Sequence, residues 1–201
     1  ALDVGQGDAT LIDLPDGRSL LIDAGGSPNG AVDPGVRVVL PTLRARRRSR
    51  LDVVVLSHPH PDHFGGLLAL AKQVSIGEFW DTGQGEAEGA GPVYRELLAE
   101  LRRRGVPIRR PPELCAQPPE RSGYRIEVLA PCPDYRRGHG ANDNSLVLRI
   151  VYGRHAALFT GDIEHHGEAR LLAERPQDLR AHFLKVGHHG SRTSTSPEDR
   201  K

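Results

Sequence analysis

The stretch Leu51-Asp52-Val53-Val54-Val55-Leu56-Ser57-His58-Pro59-His60-Pro61-Asp62-His63 decides how this chain is read. A short β-branched apolar run reads as a buried strand. It stops at Ser57 and delivers three histidines and an aspartate at its C-terminal end. Alternate residues of an extended backbone point to one side, so His58 and His60 face the same way. Asp62 and His63 follow at the turn and aim at a second point close by. These four ligand-type residues are more than one tetrahedral ion accommodates comfortably, which makes two adjacent divalent ions the natural reading. Gly65-Gly66 then opens a short helix running to about Gln73.

Working outward, two further strands end in metal-capable residues. The run His155 to Thr160 leads into Gly161-Asp162, and Ala181 to Val186 into Gly187-His188-His189-Gly190. Function in layered α/β proteins gathers on loops at strand ends, so the three ends are expected to converge. Upstream, Ala9 to Leu14 and Ser19 to Asp23 flank Pro15-Asp16-Gly17 and read as a hairpin. Asp23-Ala24-Gly25-Gly26 closes it in a loop. Helical spacing from Pro34 to Arg46 is interrupted by Pro41, which predicts a kink or break. Ser75 to Trp80 reads as a strand with Trp80 in the core, Gly83 to Gly91 as a flexible loop, and Pro92 to Gly105 as a helix with Val93, Leu97, Leu98 and Leu101 on one face. Pro107 to Pro119 reads as irregular. Tyr124 to Leu129 and Ser145 to Tyr152 are strands, and Glu164 to Glu174 is a helix with Leu171 and Leu172 inward. Strand runs mixed with single helices predict two sheets covered by helices.

Composition sets the outer limits. The chain has 201 residues, 37% hydrophobic and 26% charged, with a net charge of +1. That is too apolar for a disordered chain and too weakly basic for a nucleic-acid binder acting through bulk charge. No apolar run approaches the roughly 20 residues a membrane span needs, and no signal-peptide pattern opens the chain. Cys115 and Cys132 read as two unpaired thiols in preference to a bridge. Arg44, Arg46, Arg47, Arg48 and Arg50 form one basic run, and Arg102-Arg103-Arg104 with Arg109-Arg110 a second. Their default reading is a solvated face; flanking the metal edge, they would hold a phosphodiester backbone.

The His-x-His-x-Asp-His cluster resembles the signature of the metallo-β-lactamase superfamily, and Asp23-Ala24-Gly25, Gly161-Asp162 and the terminal histidines follow in the family's order. Leu2-Asp3-Val4-Gly5-Gln6-Gly7-Asp8-Ala9, Asn144-Ser145-Leu146-Val147-Leu148, Thr160-Gly161-Asp162-Ile163-Glu164 and Leu184-Lys185-Val186-Gly187-His188-His189-Gly190-Ser191 are similar to one subgroup, the C-terminal metallo-β-lactamase-like domain of the ComEC family of DNA-internalisation competence proteins. The resemblance implies one α/β domain over residues 1–201, a four-layer αββα sandwich with a dinuclear site at one edge. It implies His58 and His60 on one ion, Asp62, His63 and His188 on the other, and Asp162 between them. A metal-bridged hydroxide would be the nucleophile, oriented by Asp62, with His189 and Ser191 facing a scissile phosphate. Gln6 and Asp8 stand either as structural residues or as contacts to the site, and Asp3 as a partner of backbone amides. The subgroup pattern continues beyond His-His-Gly-Ser with a further strand, so the resemblance implies either an excised piece or a missing last strand.

One departure matters. The superfamily supplies a third histidine to the first ion, where this chain reads Gly138-His139-Gly140-Ala141-Asn142-Asp143-Asn144-Ser145. The expectation is an amide oxygen from Asn142 or Asn144 near that ion, against an Asx-type turn, with His139 a loop residue. A weaker, oxygen-bearing first site favours Mn²⁺, with Zn²⁺ the other candidate. Three readings follow: a nuclease acting on single-stranded DNA during uptake; a stand-alone hydrolase of a small ester, thioester or lactam; and a non-catalytic, metal-stabilised domain that guides DNA. The resemblance implies a tether to a membrane channel outside these residues and an extracytoplasmic location. A stand-alone hydrolase would be cytoplasmic.

Overall fold

A computed structural model describes residues 1–26, 33–116 and 122–194. The chain divides into two compact units, Ala1–Arg109 and Arg110–Lys201. The first contains strands β1 (Thr10–Asp13), β2 (Ser19–Ile22), β3 (Arg50–Val55), β4 (Ser75–Trp80) and β5 (Ile108–Arg109), in that order across one sheet. The hairpin pair β1/β2 is antiparallel, and every later pair is parallel. Helices α1 (Leu40–Ala45), α2 (Pro61–Phe64), α3 (Leu67–Gln73), α4 (Gln84–Glu88) and α5 (Pro92–Arg103) supply the connections. The core joins Leu21, Val54, Leu56 and Phe79 of the sheet region to Leu43 of α1, Leu67 and Leu70 of α3, and Tyr94, Leu97, Leu98 and Leu101 of α5.

The break expected at Pro41 falls between a wide π-type turn over Gly35–Val39 and α1, where the proline sits in the first helical turn and its missing N–H costs nothing. Gly83 to Gly91, expected as a flexible loop, contains α4. Gly83 (φ +77°) and Gly89 (φ +86°) bound that helix in left-handed conformations that favour glycine. The stretch from Pro107, expected to be irregular, contributes β5 and a short helix α6 (Pro111–Leu114); its last residues, 117–119, lie outside the described residues.

The second unit orders β6 (Tyr124–Ala130), β7 (Val147–Tyr152), β8 (His155–Phe159) and β9 (Phe183–Lys185) in one sheet, antiparallel except for the parallel pair β8/β9. Helix α7 (His165–Glu174) packs Leu171 with Leu129, Val147, Leu158 and Ile163. Leu172, expected inward, is only half-buried.

Cys115 and Cys132 form a disulfide, which corrects the reading of two free thiols. The bridge ties the end of α6 to the residues after β6. Sequence spacing carries no rule for such a pair, and the fold brings the two ends together. Cys132→Ser is expected to lower the unfolding free energy by about 3 kcal/mol, the value for closing a loop of this length. Urea melts of both forms read this directly, and an unchanged midpoint contradicts it.

Candidate metal centre

Parallel strands emit their C-terminal ends at one sheet edge. In the first unit that edge receives Asp23 after β2, Ser57 to His63 after β3, and Asp81 after β4. Ser57, His58 and His63 are each 0% exposed and Asp23 is 1% exposed.

Asp23 organises the cluster. Its backbone is left-handed (φ +57°), a conformation that aspartate and asparagine tolerate better than most residues. One carboxylate oxygen accepts the Ser57 N–H at 2.8 Å; the other accepts the Ser57 hydroxyl at 2.7 Å and lies 2.9 Å from His63 Nδ1. Burial pushes the Asp23 carboxyl above its ordinary range, and the neighbouring His63 pulls the other way. These contacts set the tautomers. His63 donates from Nδ1, which puts its lone pair on Nε2. The single Ser57 proton goes to Asp23, so the Ser57 oxygen accepts from His58 Nδ1 at 3.1 Å, and the His58 lone pair also falls on Nε2.

His58 Nε2 and His60 Nδ1 stand 3.0 Å apart. Two nitrogens on a tetrahedral ion at about 2.0–2.1 Å are about 3.3 Å from each other, so this pair fits one divalent ion. His63 Nε2 and Asp62 Oδ2 are 3.8 Å apart, too long for a hydrogen bond and suited to sharing an ion. A carboxylate behind an imidazole is the usual support of a metal-binding histidine. The donor chemistry therefore fits divalent metal.

Glycines hold this loop by close backbone approach. A Cβ on Gly26 would stand 1.8 Å from the Pro61 carbonyl oxygen, and one on Gly65 2.7 Å from the Gly26 Cα. The Ala24 N–H donates to the His63 carbonyl at 2.9 Å and the Gly66 N–H to the Gly25 carbonyl at 3.0 Å. A Cβ on Gly7 would meet the Asp62 carbonyl oxygen at 2.2 Å, so the Gly5–Gly7 loop lies against Asp62, with Gln6 and Asp8 on either side of Gly7. Asp3 accepts the Gly5 N–H at 3.4 Å, as a partner of backbone amides. The Asp8 carbonyl accepts the Gly25 N–H at 2.7 Å. Asp81, which the sequence did not single out, is buried and accepts a short hydrogen bond from the Tyr94 hydroxyl.

In the second unit, β8 and β9 are parallel and bring Asp162 together with the terminal histidines. His189 Nε2 lies 3.3 Å from Asp162 Oδ2. His188, expected beside Asp162, instead directs Nδ1 at Glu164 (3.1 Å) and Thr193 (3.0 Å). The reason is local. His188 and His189 both take left-handed backbone (φ +46° and +51°), so the alternation of an extended chain does not apply.

The Asn142–Ser145 segment divides its side chains among four tasks. Asn144 is fully buried; its amide accepts from the Arg136 N–H at 2.8 Å and donates to the carbonyls of Arg136 and His139. That engages Asn144 with the 136–139 loop. Asp143 accepts the N–H groups of Glu164 and Gly167 at 3.0 and 2.9 Å and caps α7. The Ser145 hydroxyl accepts the Asp162 N–H at 3.1 Å. Asn142 donates to Glu164 at 3.3 Å, and its own Oδ1 is buried with no hydrogen-bond partner among the described residues. His139 is exposed, as expected.

Most arginines of the basic runs are engaged in other contacts. Arg50 opens β3, at the end opposite the histidines, and pairs with Asp52; Arg46 and Arg48 both pair with Asp13. Arg102 and Arg103 pair with Glu86 and Glu100, and Arg104 donates to carbonyls at the end of α3. Arg109, opposite Trp80 in the sheet and paired with Glu78, stands near the metal edge.

Among the described residues no helix is long and apolar enough to cross a membrane. Residues 2–201 match the model of the metallo-beta-lactamase superfamily. The chain is 31% identical to ComE operon protein 3 of Bacillus subtilis over 98% of its own length and 34% identical to competence protein ComA of Neisseria gonorrhoeae over 96%. It is 31% identical to recombination protein 2 of Haemophilus influenzae over 97%. It spans only 26%, 24% and 21% of those relatives, respectively. A solved B3 metallo-β-lactamase with an active-site glutamic acid superposes with a TM-score of 0.55, at 17% identity, over 99% of this chain and 81% of that one. With this mixed α/β fold, its strand-end histidines and its likeness to ComEC-type competence proteins, the chain belongs to the metallo-β-lactamase superfamily of hydrolase-fold proteins.

Proposed function

We propose that residues 1–201 act as one catalytic domain, a metal-dependent phosphodiesterase that cuts single-stranded DNA during DNA uptake. The observation that carries the reading is the convergence of His58 Nε2 and His60 Nδ1, with Asp62 and His63 beside them and Asp23 fixing the tautomers. The competence relatives point to DNA as the substrate class.

Two divalent ions would supply Lewis acidity and a nucleophile at neutral pH. His58 and His60 would hold one ion, and the Asn142 amide oxygen would be the oxygen donor that favours Mn²⁺ over Zn²⁺. Asp62 and His63 would hold the other, with His189 as a further ligand in place of the His188 first expected, and Asp162 would supply a further carboxylate. Asp62 also orients the attacking oxygen. Gln6 and Asp8 border the substrate at Asp62. The disulfide supports an extracytoplasmic location, since such bridges persist in oxidising compartments. A tether to a membrane channel outside these residues fits that location.

The test is a panel of labelled single-stranded DNA, duplex DNA, RNA, bis-p-nitrophenyl phosphate and a chromogenic lactam, with Mn²⁺ or Zn²⁺ added or chelated. The expected outcome is Mn²⁺-stimulated cleavage of single-stranded DNA, negligible lactam turnover and two ions per chain. DNA affinity is expected to fall as salt rises, with a shallow slope because most arginines of the basic runs pair with carboxylates or carbonyls. Turnover of an ester or lactam without DNA cleavage replaces this reading with a small-substrate hydrolase. Salt-sensitive binding without turnover under any metal replaces it with a DNA-guiding domain.

A further inference from the structure

We infer that Glu164 is a positioning residue of this site: one carboxylate oxygen sets both the ring of His188 and the carboxamide of Asn142. The inference rests on the phosphodiesterase reading for its kinetic consequence and on geometry alone for the rest. Glu164 Oε1 lies 3.3 Å from Asn142 Nδ2, 3.1 Å from His188 Nδ1 and 3.2 Å from Thr193 Oγ1. Thr193 Oγ1 is itself 3.0 Å from both His188 Nδ1 and Ser191 Oγ. Three side chains from two segments therefore meet on a single acceptor. The backbone of Glu164 is held independently, through its N–H to Asp143.

A carboxylate accepts hydrogen bonds, so it dictates the orientation of whatever faces it. Asn142 must present its NH₂ group to Glu164. A flipped amide would set two oxygens against each other. The amide oxygen is then turned the other way, which accounts for a buried Oδ1 with no partner among the described residues. That atom is an acceptor suited to a cation or a donor on the substrate. His188 must present an Nδ1–H, which leaves Nε2 as the ring nitrogen offered to a phosphodiester oxygen or its water. The left-handed backbone at His188 is uncommon for a non-glycine residue and needs support from surrounding contacts, which Glu164 and Thr193 supply. His188, displaced from the ligand role, thereby gains the substrate-facing role first assigned to His189.

The experiment compares wild type, Glu164→Gln and Glu164→Ala in the Mn²⁺-loaded chain. It measures kcat and KM on single-stranded DNA, bound metal and melting temperature, and reads the imidazole ¹⁵N shifts of His188 in the same variants loaded with diamagnetic Zn²⁺. Glu164→Ala is expected to lower kcat about 10–100-fold, as loss of a residue supporting site ligands does, with melting temperature and metal content near wild type. Glu164→Gln, which can keep an oxygen toward Asn142 and His188, is expected to recover most of that loss. The ¹⁵N spectrum should show the Nδ1–H tautomer in wild type and a tautomer mixture in Glu164→Ala. An unchanged His188 tautomer in Glu164→Ala overturns the inference whatever the activity. Equal kcat in wild type and Glu164→Ala overturns it as well, as does a Gln variant no better than the Ala variant. Absence of cleavage by wild type overturns the phosphodiesterase reading instead, and the tautomer comparison then decides the positioning role by itself.

Discussion

Asp62→Ala is expected to lower hydrolysis roughly 10²–10⁴-fold, the range for removal of a group that acts on the proton or nucleophile of the reaction. The side chain is 27% exposed at the start of α2, and Oδ2 is directed toward His63 Nε2 at 3.8 Å. The backbone carbonyl at this position packs against Gly7, and alanine retains it. The melting temperature should therefore stay at the wild-type value while turnover disappears. Initial rates on single-stranded DNA and on bis-p-nitrophenyl phosphate, with thermal melts and metal analysis of the same samples, make the comparison. Wild-type turnover with unchanged metal content would show that Asp62 has neither role.

Asp23→Asn is expected to weaken metal binding at His63 about 10–100-fold, although Asp23 itself need not touch an ion. Asparagine tolerates the left-handed backbone at this position, so the substitution isolates the side-chain effect. Its one oxygen cannot serve the Ser57 N–H, the Ser57 hydroxyl and His63 Nδ1 together, and its NH₂ group faces a donor. The favoured relief is for His63 to move its proton to Nε2, which hides the lone pair the ion needs. Buried donors left without an acceptor also cost about 1–3 kcal/mol of stability. Chelator competition and urea melts measure the two consequences separately. A metal affinity equal to wild type would refute the role given to Asp23.

The histidine loop was legible because a period of two is strict on an extended backbone: His58 and His60 were expected on one side, and their nitrogens meet at 3.0 Å. The parallel order of β2, β3 and β4 then brings Asp23 beside that loop, a contact foreshadowed only by the Asp-Ala-Gly-Gly motif. Helix α4 was missed because its five residues carry Ala87 alone as an apolar signal, and its glycine boundaries read equally well as a loop. Its Gly85 nonetheless packs near Pro59, where an added Cβ would come within 2.6 Å of the proline Cβ. Where the rings of His188 and His189 point was not legible, because two successive left-handed residues follow no pattern that a sequence records. The contacts of Glu164 and Thr193 with His188 were not foreseen for the same reason, since they arise from where that turn directs His188. The arginine runs were visible, but their placement was not. Only the start of β3 at Arg50 shows the first run to be at the far end of the strand from the histidines.

The segment Asn142–Ser145 behaves as a keystone. Each of its side chains engages a different partner: Glu164, the N-terminus of α7, the 136–139 loop and the backbone of Asp162. No one of the four can be exchanged between related domains without also importing the segment that receives it. Chimaeras that transplant residues 142–145 alone should fold poorly, whereas those that carry residues 136–167 as one block should move the arrangement intact. For anyone recombining such domains, the natural seams lie outside that block.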